Sequence, residues 1–332
     1  MKKMICAVLA LMMLCGIMTG CGSSAGSGAD STLHIVATIF PEYDWVCQIL
    51  GDQVENVELT LLLDNSVDLH NYQPTTDDLI TISTCDLFIY VGGNSDSWVE
   101  DALQHSTNKN MVVIDLFDIL GDSVKEEAYV EGMEHDHDEE HAGDEHDEEH
   151  TDAHEDDEHI WLSLKNAKEI VSYLAEQLGA IDSSHADIYM ENASAYIAQL
   201  DELDSAYQAT VDAAARNTLL FADRFPFRYL VDDYGIEYYA AFSGCSAESE
   251  ASFETIAFLS SKVDELGLTH VLTTENATHK IAQTVVENTS GKDQTILALN
   301  SLQSVTARDV QDGMTYLDMM TSNLDVLREA LS

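Results

Sequence analysis

Residues 184–217 read SHADIYMENASAYIAQLDELDSAYQATVDAAARN, and no glycine or proline interrupts them. Tyr189, Ala193, Tyr196, Leu200, Leu203 and Tyr207 recur every three or four residues and draw one apolar stripe along a helix. At about 1.5 Å per residue, roughly 30 residues make a rod of about 45 Å, long enough to run along two domains. On both sides of this rod, strand and helix signals alternate. Ahead of it, Leu33 to Thr38 is β-rich. Pro41 suits the first turn of a helix that holds Tyr43, Trp45, Val46 and Ile49 and stops at Gly51. Val57 to Leu63 is a second strand and Pro74 to Ile82 a short helix. Asp86 to Val91 (DLFIYV) is a near-continuous apolar run before Gly92-Gly93, as in a strand covered on both faces. A helix at Trp98 to Leu103 and a strand at Met111 to Asp115 follow, and a helix from Ser163 to Leu178 leads into the rod.

Beyond the rod the alternation repeats. Strands are expected at Thr218 to Ala222, Ile236 to Ala241, His270 to Thr274 and Thr295 to Leu299. Helices are expected at Phe227 to Tyr234, Ser252 to Leu266 and Thr278 to Asn288, with a last one from Val310 to Leu331. This βαβα pattern implies parallel sheets with helices on both faces. The fold class expected is α/β: two lobes, each a roughly four-stranded mostly parallel sheet flanked by helices, joined by one long rigid helix. The boundaries are residues 32–182 for the first lobe, 183–217 for the linking helix and 218–332 for the second lobe.

One segment inside the first lobe cannot belong to its core. Residues 131–159 read EGMEHDHDEEHAGDEHDEEHTDAHEDDEH and hold seven of the 13 histidines. With almost no apolar side chains it cannot offset the entropy of ordering, and its carboxylates repel one another. A merely solvated acidic loop would not need histidine every second to fifth residue. Neutral imidazoles suit zinc, copper, nickel and iron, and short His-rich tracts collect metals. His135, His137, His141, His146, His150 and His154, within the loop at 131–158, are the accessory metal-collecting residues.

The start of the chain carries Lys2 and Lys3, an apolar run from Ile5 to Ile17, and then Met18-Thr19-Gly20-Cys21, the pattern of a secretory signal over residues 1–20. Small residues directly before a cysteine resemble a bacterial lipobox, which makes Cys21 the lipidated first residue. Residues 21–31 are a Gly/Ser-rich tether of the kind that lets a domain stand off a membrane. The apolar run is too short for an ordinary spanning helix. Localisation is therefore expected to be extracytoplasmic, anchored by lipid to the bacterial cell membrane. Cys47, Cys85 and Cys245 remain in the mature chain. Three widely spaced cysteines make no disulfide framework and no CxxC zinc site, so they read as small buried thiols, with one pairing among them left open.

The 332-residue chain has a formal net charge of −47. A field of that sign excludes nucleic acid as a partner and favours a cation as ligand. Four residues of ligand type follow strands, where α/β lobes bind their ligands: His70 after the second strand, His159 at the end of the acidic loop, Asp223 after Thr218 to Ala222, and Glu275 after His270 to Thr274. A cleft between lobes could gather these nitrogen and oxygen donors around zinc. Taken singly, each has a plainer reading as a surface histidine, a helix cap or a solvated carboxylate.

Several segments together resemble the cluster A-I solute-binding proteins of bacterial metal ABC transporters, the ZnuA/AdcA/TroA-like group, over nearly the whole mature chain. IVATIFPEYDWVCQILGD resembles the family's first strand and helix. DLHNYQPTTDDL resembles its His-x-Tyr-x-Pro motif, DEHIWLSL its Asp-Pro-His-x-Trp-Leu-Ser motif, and GCSAESEAS its Gly-x-Ser segment ending in Glu-Pro-Ser. The resemblance implies a non-enzymatic, monomeric binding protein that captures Zn²⁺ and passes it to an ABC permease, with Mn²⁺ as the runner-up metal. By position, His70 and His159 match two family histidine ligands and Glu275 a glutamate ligand. The third family histidine falls on Arg224, whose guanidinium has no lone pair to give. Asp223, water or a loop histidine would fill that place. A late family carboxylate falls near Asn300. Arg224 and Arg228 are expected to pair with carboxylates such as Asp223, Asp232 or Glu237. A zinc hydrolase and a surface zinc store or adhesin are the rival readings, but the sequence holds no HExxH, Gly-x-Ser-x-Gly or P-loop.

Overall fold

The protein, a computed structural model, describes residues 32–134, 155–246 and 250–332. Leader, tether, Cys21 and the six accessory histidines from His135 to His154 lie outside them. From Leu33 onward the chain forms one unit. Its first sheet joins β1 (Leu33–Ala37), β2 (Val57–Leu61), β3 (Leu87–Tyr90) and β4 (Val112–Asp115) in the order β2-β1-β3-β4, all parallel. The second joins β5 (Thr218–Phe225), β6 (Glu237–Ser243), β7 (His270–Thr274) and β8 (Thr295–Leu299) in the order β6-β5-β7-β8, again parallel. The two lobes thus repeat one topology. In each, the strand order reverses beside the first strand, and side chains at the carboxyl ends there can converge on a ligand.

Helices α1 (Phe40–Leu50), α2 (Thr76–Thr84), α3 (Trp98–Gln104) and α4 (Leu116–Leu120) belong to the first lobe, and α5 (Leu164–Ile181) leads into the rod. The rod is α6 (Ala186–Asp212), and its buried residues are Tyr189, Ala193, Tyr196, Leu200, Leu203 and Tyr207, the expected stripe. The second lobe carries α7 (Arg228–Tyr234), α8 (Phe253–Leu266), α9 (Lys280–Asn288), α10 (Ala307–Gln311) and α11 (Tyr316–Ala330). The single final helix expected from Val310 to Leu331 is two helices. Gly313 takes φ 86° between them, a backbone conformation that ends a helix. The five-residue α4 had no sequence signal, being a single turn capped by Asp115.

The lobes are not independent bodies. One continuous core holds Ile35, Phe88 and Trp161 of the first lobe together with Phe221, Tyr229 and Leu299 of the second. Trp161 Nε1 donates to Ser301 O at 2.8 Å. The last helix returns to the first lobe: Tyr316 N donates to Asp44 Oδ2 at 3.1 Å, its hydroxyl donates to Trp161 O at 2.7 Å, and its ring meets Trp45 edge-on.

Two carboxyls are buried near the carboxyl ends of β1 and β3. Glu42 Oε2 accepts from Thr38 N, Thr38 Oγ1 and Ile39 N at 2.8, 3.0 and 3.2 Å. Asp96 Oδ2 accepts from Gly92 N at 3.0 Å. Burial, with Asp96 adding its charge, pushes Glu42 up to about 8. Burial likewise pushes Asp96 up to about 7. Glu42 Oε1 and Asp96 Oδ1 have no hydrogen-bond partner among the described residues.

Candidate metal centre

His70 sits on a short 3-10 turn (Leu69–Asn71) after β2, and the Asp68 side chain caps that turn by accepting His70 N at 3.1 Å. His159 follows the acidic loop, whose base is closed by an antiparallel bridge between Glu126 and Asp156. Asp157, Glu158 and His159 are 1–2% exposed or fully buried, although all three carry polar side chains. Such groups stay buried only when partnered.

The partners fix both imidazoles. Asp157 Oδ1 accepts from His159 N and faces His159 Nδ1, both at 2.9 Å. His70 Nδ1 lies 2.9 Å from Ser95 Oγ and 3.1 Å from Glu158 Oε2. Glu158 Oε1 in turn accepts from Ser95 N at 2.7 Å. Asp157 at His159 Nδ1, and Ser95 Oγ with the Glu158 carboxylate nearby at His70 Nδ1, favour the tautomer with the proton on Nδ1 and a lone pair on Nε2, as in metal-ligating histidines. The two Nε2 atoms face each other at 3.2 Å. Two lone pairs at that distance repel unless a cation lies between them. In a tetrahedral zinc site with Zn–N bonds of about 2.05 Å, two nitrogens stand about 3.3 Å apart.

Cys245 completes the cluster. One ligand atom each from His70, His159 and Cys245 all lie within 4.8 Å of one another. Cys245, Cys47 and Cys85 are all unpaired. Burial pushes the Cys245 thiol up, helped by the charges of Glu127, Asp157 and Glu158, so a metal there must displace a proton. Burial opposes charge on His70 too, but Glu158 and Asp68 outweigh it and hold that imidazole above its ordinary range. Burial also works against Glu158, yet His70 and Ser95 keep its carboxyl below the usual range. Glycines make the close approach possible. A Cβ on Gly244 would stand 3.0 Å from His159 Cε1 and 2.9 Å from Phe225 O. Gly93, at φ 82°, passes so near that its Cβ would stand 2.5 Å from Glu158 Oε1.

The two carboxylates expected as ligands lie outside the cluster. Glu275 Oε2 accepts from Ser301 N and Oε1 from Ser301 Oγ, both at 2.9 Å. It lines a cavity of about 30 Å³ together with Asp68, Arg224, Gly244 and Gln303. Asp223 Oδ2 accepts from Thr274 N and Oγ1 at 2.8 and 2.6 Å, and Oδ1 from Arg224 N at 2.9 Å. Asp223 faces a separate, more open pocket with His279 and Lys280. Asn300 Oδ1 accepts from Leu302 N at 2.7 Å. Arg224 pairs with Asp68 rather than Asp223, and Arg228 pairs with Asp232 as expected.

Sequence reasoning grouped Cys245 with two inert thiols and so missed it. The available signal was its place in GCSAESEAS, a segment already matched to a family motif, together with the loss of a nitrogen donor at Arg224. No helix among the described residues is long and apolar enough to cross a membrane.

Comparison with known proteins follows the same lines. The chain is 29% identical to the high-affinity zinc uptake system protein ZnuA of Bacillus subtilis, over 95% of this chain and 94% of that one. It is 30% identical to the zinc-binding lipoprotein AdcA of Streptococcus pneumoniae, over 91% of this chain but only 56% of the longer relative. Its fold superposes on the Zn(II)-bound ZnuA-like domain of Streptococcus pneumoniae AdcA with a TM-score of 0.69 at 26% identity, covering 91% of this chain and 99% of that domain. The family model for the periplasmic zinc-uptake complex component A matches residues 35–330, and with two lobes of one topology around a histidine pair, the chain belongs to that family.

Proposed function

We propose that this protein captures Zn²⁺ outside the cell membrane and delivers it to the permease of an ABC importer. His70, His159 and Cys245 serve as ligands and Glu275 as the fourth donor. The observation that carries this reading is the pair of Nε2 atoms facing each other at 3.2 Å with a cysteine thiol close by. Zinc takes nitrogen and sulfur in a tetrahedron, whereas manganese prefers all-oxygen surroundings, so the thiol favours zinc over Mn²⁺. Glu275 is preferred to Asp223 for the fourth place because the small cavity it lines is also lined by Asp68, the cap of the His70 turn, and by Gly244, the neighbour of Cys245. Asp223 ties β5 to β7 through Thr274 instead. The lipid anchor at Cys21 would keep the protein at the membrane. The accessory histidines from His135 to His154 would bind weakly and feed the cleft, since the strand bridge at Glu126 and Asp156 brings the loop out three residues before His159. Membership of a family of zinc-uptake components supports binding rather than hydrolysis as the chemistry of these residues.

The test is chelator-competed titration of the soluble protein with Zn²⁺ and with Mn²⁺, beside a version lacking residues 133–156. One tight zinc site should survive removal of the loop, with manganese far weaker. Loss of all tight binding with the loop would make the protein a loop-based collector and sink the cleft reading. In the same assay Glu275→Gln should weaken zinc more than Asp223→Asn; the reverse order would move the fourth ligand to Asp223. Gly93→Ala should weaken zinc about 10-fold, because the added methyl displaces Glu158 from His70, and outer partners of metal ligands are typically worth about 10–100-fold.

A further inference from the structure

Arg224 occupies the place where the resemblance puts a third histidine, and its surroundings give it a different task. It lies past a register shift in β5, between Phe221 and Arg224. Its backbone is pinned there: Arg224 N donates to Asp223 Oδ1, and the other Asp223 oxygen is held by Thr274 of β7. From this fixed point the guanidinium reaches two ligand-bearing segments. Nη2 donates to Asp68 Oδ2 at 2.7 Å across to the first lobe, and Nη1 donates to Ser246 O at 3.4 Å. Asp68 is the cap of the His70 turn, its other oxygen accepting His70 N. Ser246 directly follows Cys245 in the chain.

One guanidinium therefore links the turn that carries His70 to the loop that carries Cys245. A planar fork with several donors can hold two acceptors at set angles, which a lysine cannot. The need is electrostatic as well. Asp68, Glu158 and Glu275 surround the cleft in a chain with 61 acidic and 14 basic side chains. In that negative field Arg224 is a cation that touches both segments.

We propose that Arg224 is a positioning residue that preassembles the metal site in the empty protein, holding the His70 turn against the Cys245 loop through Asp68 and Ser246. It takes no part in ligation, and the ligand it prepares for is a divalent cation that accepts nitrogen and sulfur. The inference rests on the reading of His70, His159 and Cys245 as the metal site.

The experiment measures Zn²⁺ affinity and association rate by chelator competition in the wild-type soluble protein and in Arg224→Met, Arg224→Lys, Asp68→Asn and the Arg224→Met/Asp68→Asn double variant. Co²⁺ spectra report whether a thiolate still binds, and thermal unfolding reports folding. Asp68→Asn keeps the cap on His70 while removing the charge that Arg224 meets. Arg224→Met and Asp68→Asn should each weaken zinc about 10–100-fold, chiefly through slower association, with the thiolate-to-cobalt band retained. The double variant should be no weaker than the worse single, because both remove one link. Arg224→Lys should recover part of the loss. Wild-type-like binding by Arg224→Met, or losses from the two singles that multiply in full, would overturn the proposal. If wild-type protein itself binds no zinc, or binds it without the thiolate band, the underlying site reading fails instead.

Discussion

Cys245→Ser should lower zinc affinity by on the order of 10³-fold, more than any change outside the ligand set, since outer partners alone are worth about 10–100-fold. Serine keeps the volume and hydrogen-bonding reach of the thiol but replaces a soft donor with one that ionises far less readily. The loss should be specific to metals that favour sulfur. Competition titration should therefore show the Zn²⁺ preference over Mn²⁺ shrinking in the variant, because manganese affinity hardly changes. Co²⁺ should give a thiolate charge-transfer band in the near ultraviolet with the wild type and none with Cys245→Ser. His159→Ala should cost as much or more, since it removes a ligand and also takes from the buried Asp157 its imidazole partner, leaving only the backbone N–H of residue 159. Unchanged zinc affinity in Cys245→Ser would return Cys245 to the role of a buried thiol and leave the third ligand to an oxygen donor.

Glu42→Gln should stabilise the metal-free protein at pH 8 by roughly 4 kcal/mol and change it little at pH 4. Burial raises the folded-state value of Glu42 from 4.5 to about 8, so the folded protein holds this proton more tightly than the unfolded chain. Its contribution is therefore complete below about 4.5 and drains away as pH rises to about 8. Asp96, raised from 3.8 to about 7, adds to the same trend. The wild type should thus lose urea stability from pH 5 to pH 8, and the glutamine variant should lose less. Chelator must be present throughout, because bound metal stabilises the folded state by mass action. Parallel curves for the two proteins across that range would mean that Glu42 is solvated.

The fold was legible because its signals are local and repeated. Apolar runs such as DLFIYV, the unbroken stripe from Tyr189 to Tyr207, and glycines at helix ends each state their element without reference to the rest of the chain. Gly313 was also visible, but the helical pattern on either side outweighed it, and only the positive φ of the folded backbone makes it a break. The site was half legible. His70 and His159 are surrounded by recognisable residues, and Asp157, which orients His159, lies two residues from it, whereas Glu158 reaches His70 from far along the chain. Cys245 was not legible, since its role depends on a distance to residues far away in the chain. Asp223 and Glu275 mark correct strand ends, yet each already has hydrogen-bond partners that no spacing rule reveals. The pairing of Arg224 with Asp68 joins residues in different lobes, and the candidates considered from sequence were all nearby in the chain.

The shared core, the α6 rod and the Tyr316 strap onto Asp44 and Trp161 restrict hinge movement between the two lobes. Loaded and empty copies would then present almost the same outline to a receptor. Cargo would have to be read from local charge and from the few side chains around Cys245 rather than from shape. Empty copies would compete for the same dock. Flux through an importer would consequently follow the ratio of loaded to empty protein at the membrane, not the number of loaded copies alone.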